Sequence, residues 1–243
     1  MLRSLNEIVG YQVSATDGAM GKVKDFYFDD LAWVVRYLVV DTGHWLAGRK
    51  VLLSPAAVGD LHWTERIVPT TFTQQQVENS PPISEDIPVS RQLEIELADV
   101  YGWEQWWTTA MRSPARLPLL APPRPTPRQP ESGEDWDPNL RSLREVVNYR
   151  IQAVDGDLGH LEDVIVETRD WSIRYLVADT RNWLAGKKVL LDLGWIARLD
   201  WRGREVRVGL TREQIEHSPE FLPGAPVNQV LEQQLFDYYG RPC

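Results

Sequence analysis

The chain contains one long stretch of sequence twice, and this repeat constrains the fold more than any other feature. The text that begins at Leu2 returns at Leu140, and the register between the copies holds without a gap. Roughly two in five paired positions are identical, which is far above chance for a repeat of this length. Whatever fold one copy adopts, the other is expected to adopt too, and 243 residues leave room for two small cores.

Charge and cysteine content limit the class of protein. A formal net charge of −9 disfavours nucleic-acid binding, because phosphate contacts need a local excess of Lys and Arg. The single cysteine, Cys243, excludes an intramolecular disulfide and fits a reducing compartment. No stretch approaches the roughly 18 apolar residues of a membrane span. The sequence therefore predicts a cytoplasmic protein without an integral membrane segment.

Asp-Gly turns are the clearest local signals. The residues concerned are Asp17, Gly18 and Gly21 in the first copy, and Asp155, Gly156 and Gly159 in the second. Asp-Gly between apolar runs favours a hairpin, because glycine accepts the positive φ that tight turns require. We interpret all six as structural turn residues. The alternating oxygen ligands of a calcium loop are absent around them.

The strands that follow carry two further signals. The apolar alternation slips near Asp25 and again near Asp163, which predicts a β-bulge that curves the sheet. In the next strand, one phase of the alternation is assigned to the core. Its members are Val35, Tyr37 and Val39 in the first copy and Ile173, Tyr175 and Val177 in the second.

Two helices are predicted at the end of each copy. The shorter one begins after Thr73 or Thr211, each acting as N-cap. The longer one runs from Ser90 to Tyr101 in the first copy and begins at Asn228 in the second. The predicted fold class is mainly β with short helices.

A proline-rich segment separates the two copies. We divide the chain into a first repeat with its C-terminal helix at 1–107, a linker at 108–138 and a second repeat with its helix at 139–243. The prolines favour an extended spacer with little secondary structure. A docking peptide for an aromatic groove is the alternative interpretation, since PxxP segments suit such grooves.

Taken as a whole, the pattern resembles the PRC-barrel family. The resemblance rests on the Asp-Gly turns, the bulged strand, the strand RYLVVDTG (RYLVADTR in the second copy) and the segment WLAGRKVLL (WLAGKKVLL in the second copy). The second copy departs from the pattern where Asn148 and Arg181 replace glycines.

The resemblance implies two tandem small antiparallel β-barrels, each followed by a short C-terminal helix. Such barrels occur in the photosynthetic reaction-centre H subunit and in ribosome-maturation factors, where they act as docking modules. Single-barrel members often pair, which implies that this chain carries its pair covalently, as a bacterial cytoplasmic pseudo-dimer.

A search for chemistry finds no constellation typical of an enzyme, and we assign no catalytic, cofactor-binding or metal-binding residues. The four histidines do not recur between the copies, and none has a second His or Cys at ligand spacing. No serine lies in a nucleophile-elbow context.

The remaining candidates are two equivalent loops that combine an aromatic ring with cations. They hold Trp45, Arg49 and Lys50 in the first copy and Trp183, Lys187 and Lys188 in the second. These are docking loops in one interpretation, since Trp and Arg are typical of interaction hot spots. In the other interpretation, which we call the barrel-plug interpretation, each Trp side chain fills one end of its barrel and the cations are merely solvated.

The predicted function is a non-enzymatic protein-interaction or assembly module that binds another protein or complex and no nucleic acid. A peripheral partner of a membrane complex of the photosynthetic type is one alternative. A ribosome-maturation factor or a small-ligand-binding barrel are the others.

Overall fold

The structure is a computed structural model that describes residues 1–80, 140–180, 186–200, 203–224 and 227–239. The predicted helix from Ser90 to Tyr101 and the proline-rich segment lie outside the described residues. None of the described helices is both long and apolar enough to cross a membrane.

The first repeat consists mainly of short strands. Its elements are β1 (Leu2–Ser4), α1 (Leu5–Ile8), β2 (Gln12–Ser14), β3 (Ala19–Asp29), β4 (Val34–Asp41), β5 (Lys50–Leu53), β6 (Ile67–Pro69) and α2 (Gln74–Glu78), with a 3-10 turn at Pro55–Ala57.

The second repeat follows the same order, with an additional strand, β12, that has no counterpart among the described strands of the first repeat. Its elements are β7 (Leu140–Ser142), α3 (Leu143–Val146), β8 (Arg150–Ala153), β9 (Gly156–Glu167), β10 (Ser172–Asp179), β11 (Lys188–Asp192), β12 (Ile196–Asp200), β13 (Glu205–Val208), α4 (Arg212–Glu216) and α5 (Gln229–Tyr239), with a 3-10 turn at Leu193–Trp195. The fold is mainly β with few short helices, as predicted.

The described strands of both repeats belong to one strongly curled, half-barrel sheet. Within each repeat, the long strand after the Asp-Gly turn pairs antiparallel with the strands on either side of it. The repeats meet where β10 pairs with β4 at Ser172 and Val34. The sheet therefore runs through the junction of the repeats without interruption.

Both predicted bulges are confirmed. The pairing of β3 with β4 shifts register between Val23 and Asp25, and the pairing of β9 with β10 shifts at the equivalent place, beside Asp163. An extra residue in one strand increases the local twist, so the bulge bends each long strand toward a curled sheet.

The predicted core face of the strand after the bulge was incomplete. Leu38 and Leu176, from the phase that was not assigned to the core, are also buried. In the second repeat, Tyr175 and Val177 pack with Leu235 of α5 in a separate cluster. In the second repeat the strand is therefore buried on both faces, because the main core covers one face and α5 covers the other.

The predicted caps are present. Thr73 and Thr211 each form a capping box with the glutamine three residues later. Asn228 accepts a hydrogen bond from the backbone N–H of Leu231 at 2.9 Å, at the start of α5. These local bonds set where the short helices begin.

Candidate functional site

The most extensive contact between the repeats is a reciprocal exchange of their first elements. Strand β1 of the first repeat pairs with β9 of the second, with Ser4 opposite Ile165. Strand β7 of the second repeat pairs in the same way with β3 of the first, with Ser142 opposite Tyr27. We call these two pairings and the contacts between them the seam.

Each repeat opens with a short strand and a short helix, which we call its lead-in elements. The lead-in helices, α1 and α3, are each capped by an aspartate of the other repeat. Ser4, the N-cap of α1, accepts a hydrogen bond from Glu7 N–H at 3.0 Å and donates its hydroxyl hydrogen to the carboxylate of Asp163. The other oxygen of Asp163 accepts the N–H of Asn6 at 3.2 Å. Asp163 therefore supplies the second acceptor that a helix N-terminus needs.

The equivalent cap is formed in the opposite direction. Ser142, the N-cap of α3, donates to Asp25 at 2.5 Å, and Asp25 also accepts the N–H of Arg144 at 3.1 Å. Because the same bonds are made from each repeat to the other, the seam has matching halves. Neither helix completes its cap within its own repeat.

The two aspartates are buried in this seam. Burial raises the pKa of Asp163 to about 6, and the hydrogen bonds from Ser4, Val164 and Asn6 oppose that rise. Burial also raises the pKa of Asp25, against the hydrogen bonds from Ser142, Phe26 and Arg144. Burial therefore destabilises the charged form of each aspartate, and the hydrogen bonds that the carboxylate accepts offset only part of that destabilisation.

Two tryptophans add a second reciprocal contact. Trp33 and Trp171 occupy equivalent turns and have left-handed φ values of 54° and 57°. The Trp33 carbonyl accepts the N–H of Ile173 at 2.7 Å, and the Trp171 carbonyl accepts the N–H of Val35 at 2.9 Å. The Trp171 ring lies 6.1 Å from that of Phe26, so the second repeat also packs on the first.

Comparison with known protein families finds a match within the first repeat. Residues 2–70 match the family model of the PRC-barrel domain. This stretch of the first repeat is similar to a PRC-barrel domain. No curated protein matches the chain.

Two of the glycines that were predicted to lie in turns have a defined steric role. Gly21 and Gly159 lie inside the long strands rather than in the turns, with φ of +149° and +130°. A Cβ atom would lie 2.1 Å from the backbone oxygen of Asp41 at the first position and 2.0 Å from that of Asp179 at the second. Only glycine allows this close approach of the next strand.

The aspartates of the predicted turns accept hydrogen bonds from the first residue of the short helix in the same repeat. Asp17 accepts the N–H of Gln74 at 2.8 Å, and Asp155 accepts the N–H of Arg212 at 2.8 Å. Gly18 and Gly156 follow directly. These aspartates connect the hairpin to α2 and α4, which is a structural role beyond the turn itself.

The cations of the two candidate loops are engaged within their own repeats. Arg49 donates to the carbonyl of Glu78 at 3.0 Å, at the C-terminus of α2. The Nζ of Lys187 donates to the carbonyl of Ser218 at 2.6 Å and also to that of Glu216, at the C-terminus of α4. A cation at this position stabilises exposed helix carbonyls.

The remaining loop residues lie close to the sheet. Trp45 is half-buried and packs against the main core, and Lys50 lies opposite Asp41 in the sheet. Lys188 forms an ion pair with Glu162. Trp183 lies outside the described residues. Trp45 packs on the core, as the barrel-plug interpretation expects, but the part of that interpretation that left the cations merely solvated is wrong. Docking stays a prediction.

Sequence reasoning did not predict that the seam residues contact the opposite repeat. The identical LRSL text of Leu2–Leu5 and Leu140–Leu143, and the aspartate at both bulges, were available as signals. Repetition alone does not say which repeat a residue contacts. Among the described residues, no group of three or more His, Cys, Asp or Glu side chains is placed to hold a metal ion.

Proposed function

We propose that this chain is a non-enzymatic protein-interaction or assembly module, in which two PRC barrels form an intramolecular pseudo-dimer. The observation that carries the proposal is the reciprocal capping of α1 by Asp163 and of α3 by Asp25. An exchange of equivalent bonds is the signature of an isologous interface, in which each side uses the same surface. Here one chain supplies both sides.

The nature of the seam supports a module that presents its outer surfaces to a partner. The buried carboxylates, the lead-in strands and the tryptophan turns are all used for contact between the repeats. A rigid pair of barrels fixes the relative position of two outer surfaces, which reduces the ordering cost of binding. The similarity of residues 2–70 to a PRC-barrel domain is itself consistent with such a role.

The pseudo-dimer is tested by cutting the linker. A specific protease site inserted between residues 108 and 138 allows the intact, folded chain to be cleaved in native buffer. If the repeats form an isologous pair, the two fragments elute together in size-exclusion chromatography and separate only in denaturant. Elution of two separate fragments without denaturant would contradict the arrangement.

The interaction role is tested by affinity capture from cells of the source organism, with the soluble and membrane fractions examined separately. Recovery of one stoichiometric protein complex supports the assembly module. Recovery of an enzymatic activity that tracks the purified chain would contradict the non-enzymatic proposal.

The docking-loop hypothesis has its own test. Trp45→Ala removes an aromatic side chain that packs on the core. A variant that stays folded but no longer captures the partner supports docking. A variant that unfolds below the wild-type melting temperature and captures the partner when folded supports the barrel plug. Leu31→Ala is the control, because Leu31 is a large apolar side chain with 40% exposure.

A further inference from the structure

The hairpin at the outer end of the second repeat differs in charge from its equivalent in the first. The segment 198–207 contains four arginines (Arg198, Arg202, Arg204 and Arg207) and two carboxylates (Asp200 and Glu205). The equivalent segment 60–69 contains Asp60, Glu65 and a single arginine, Arg66. A locally basic hairpin thus lies in a chain whose formal net charge is −9.

Two of these arginines, Arg198 and Arg207, share the outward face of the sheet. Val206 and Val208 of β13 are buried, so Arg207 between them points outward, and it is exposed. Arg198 of β12 lies directly opposite Arg207 and is also exposed. Like charges in directly opposite positions disfavour strand pairing, and the ion pair of Arg207 with Glu205 offsets part of that cost.

The first repeat shows that the fold does not require these cations. Gln12 and Asp60 occupy the positions equivalent to Arg150 and Arg198. Arg150 itself lies in β8, beside Glu205 of β13, and is exposed. At the positions of β12 the first repeat forms only isolated bridges, between Val58 and Thr70 and between His62 and Ile67, so the paired edge strand and its cations belong to the second repeat.

One arginine of this face is already paired with a carboxylate of the protein. The Nε of Arg207 lies 2.6 Å from Oε1 of Glu205, although the Arg207 side chain keeps 60% of its surface exposed. In addition, β12 ends the strand order of the sheet, and no described strand pairs with its outer edge. Among the described residues, an extended segment therefore has both an unpaired strand edge and cations beside it.

We propose that the arginine face, formed by Arg150, Arg198 and Arg207, binds an acidic, extended segment of a partner protein. The inference rests on the proposed interaction function and names the surface and the chemistry of the partner. Carboxylates at every second residue of an extended segment would point to one face, where guanidinium groups bind them through paired N–H donors. Backbone bonds to the edge of β12 would add affinity without sequence dependence.

A protein segment fits better than a nucleic acid or a lipid surface. Nucleic-acid binding needs several simultaneous phosphate contacts, and the net charge of the whole chain repels a long polyanion. Two carboxylates of the protein, Asp200 and Glu205, also lie opposite each other on this face. Alternating sign along a face is suited to a partner strand with its own spacing of charge rather than to a uniform anionic surface.

The experiment gives the second repeat the charges that the first repeat has at the equivalent positions. The variant Arg150→Gln with Arg198→Asp gives the second repeat the residues that the first repeat carries at these positions, and circular dichroism checks that the variant is folded. The control, Arg174→Gln with Arg169→Asp, makes the same change of net charge at two other exposed positions of the second repeat. The probe is a fluorescein-labelled eight-residue peptide of alternating Glu and Val, titrated against the full chain and followed by anisotropy.

The face variant is expected to weaken peptide binding about ten-fold, and the control less than about two-fold, with both affinities falling as salt rises. Equal losses in the two variants, or no measurable binding by the wild-type chain, overturn the proposal. The proposal is also overturned if duplex DNA, or an anionic phosphatidylserine vesicle, binds the chain more tightly than the peptide does and loses as much affinity in the face variant. A cellular partner that is captured equally by the face variant and the wild type would leave the interaction function standing and remove this surface from it.

Discussion

At the scale of single residues, the close approach of backbone strands decides which positions tolerate a side chain. Gly159→Ala is expected to destabilise the fold by about 2 kcal/mol or more, because its Cβ would overlap the Asp179 carbonyl. The free energy of unfolding, measured by urea denaturation, tests this. The control is Gly10→Asn: Gly10 has nothing within 4 Å of its Cβ position, and Asn148 adopts a φ of 76° at the equivalent site. A control as unstable as Gly159→Ala would contradict the steric argument.

The raised pKa of Asp163, in the seam, leads us to expect that the stability of the fold depends on pH. Its folded pKa, about 6, lies above the unfolded value of about 3.9, so the native state binds more protons between these values. Its contribution to stability is therefore largest below about pH 4, falls as pH rises toward 6, and is constant above that. The change amounts to about 2–3 kcal/mol.

The measurement is the unfolding free energy of wild type and Asp163→Asn at pH 7.5 and pH 5. The wild-type value minus the variant value should increase on acidification, because asparagine does not titrate. A difference that stays constant or decreases would show that the pKa of Asp163 is not raised in the folded state.

At the scale of elements, the lead-in helix depends on the opposite repeat. Ser4→Ala removes the N-cap acceptor of α1 and also the donor to the buried Asp163 carboxylate, so it should cost about 2 kcal/mol. Ser54→Ala is the matched control, since Ser54 caps a 3-10 turn within its own repeat, and it should cost about 1 kcal/mol or less. Thermal unfolding of both variants compares them. Equal costs would mean that the contact with Asp163 contributes nothing.

Local signals predicted the elements well, because turns, caps and bulges depend on neighbours in the sequence. Thr73, Asn228 and the slip beside Asp25 were all found in this way. The exchange of lead-in strands was not predictable, because the sequence LRSL pairs equally well with the strand of either repeat. The burial of Leu176 was missed for a related reason: a strand covered on both faces loses the alternation that marks a single core face.

At the scale of the molecule, the core and the sheet cross from one repeat to the other. One cluster of buried side chains includes Phe26 and Leu38 together with Trp171 and Leu176. The lead-in elements depend on both repeats as well. Loss of packing in one repeat should therefore lower the stability of the other, which is the behaviour of a single cooperative unit.

This cooperativity is tested with Leu176→Ala, which truncates a side chain with 1% exposure and should cost about 3 kcal/mol. If the repeats unfold together, the slowest-exchanging amides of β4 in the first repeat lose the same free energy of protection in native-state hydrogen exchange as those of β10. The mirror variant, Leu38→Ala, should lower the protection of β10 in turn. Unchanged protection in the untouched repeat would mean that each repeat unfolds alone and that the seam stabilises neither. Equal losses in both directions would show that the reciprocal caps and the shared core bind the two repeats into one folding unit.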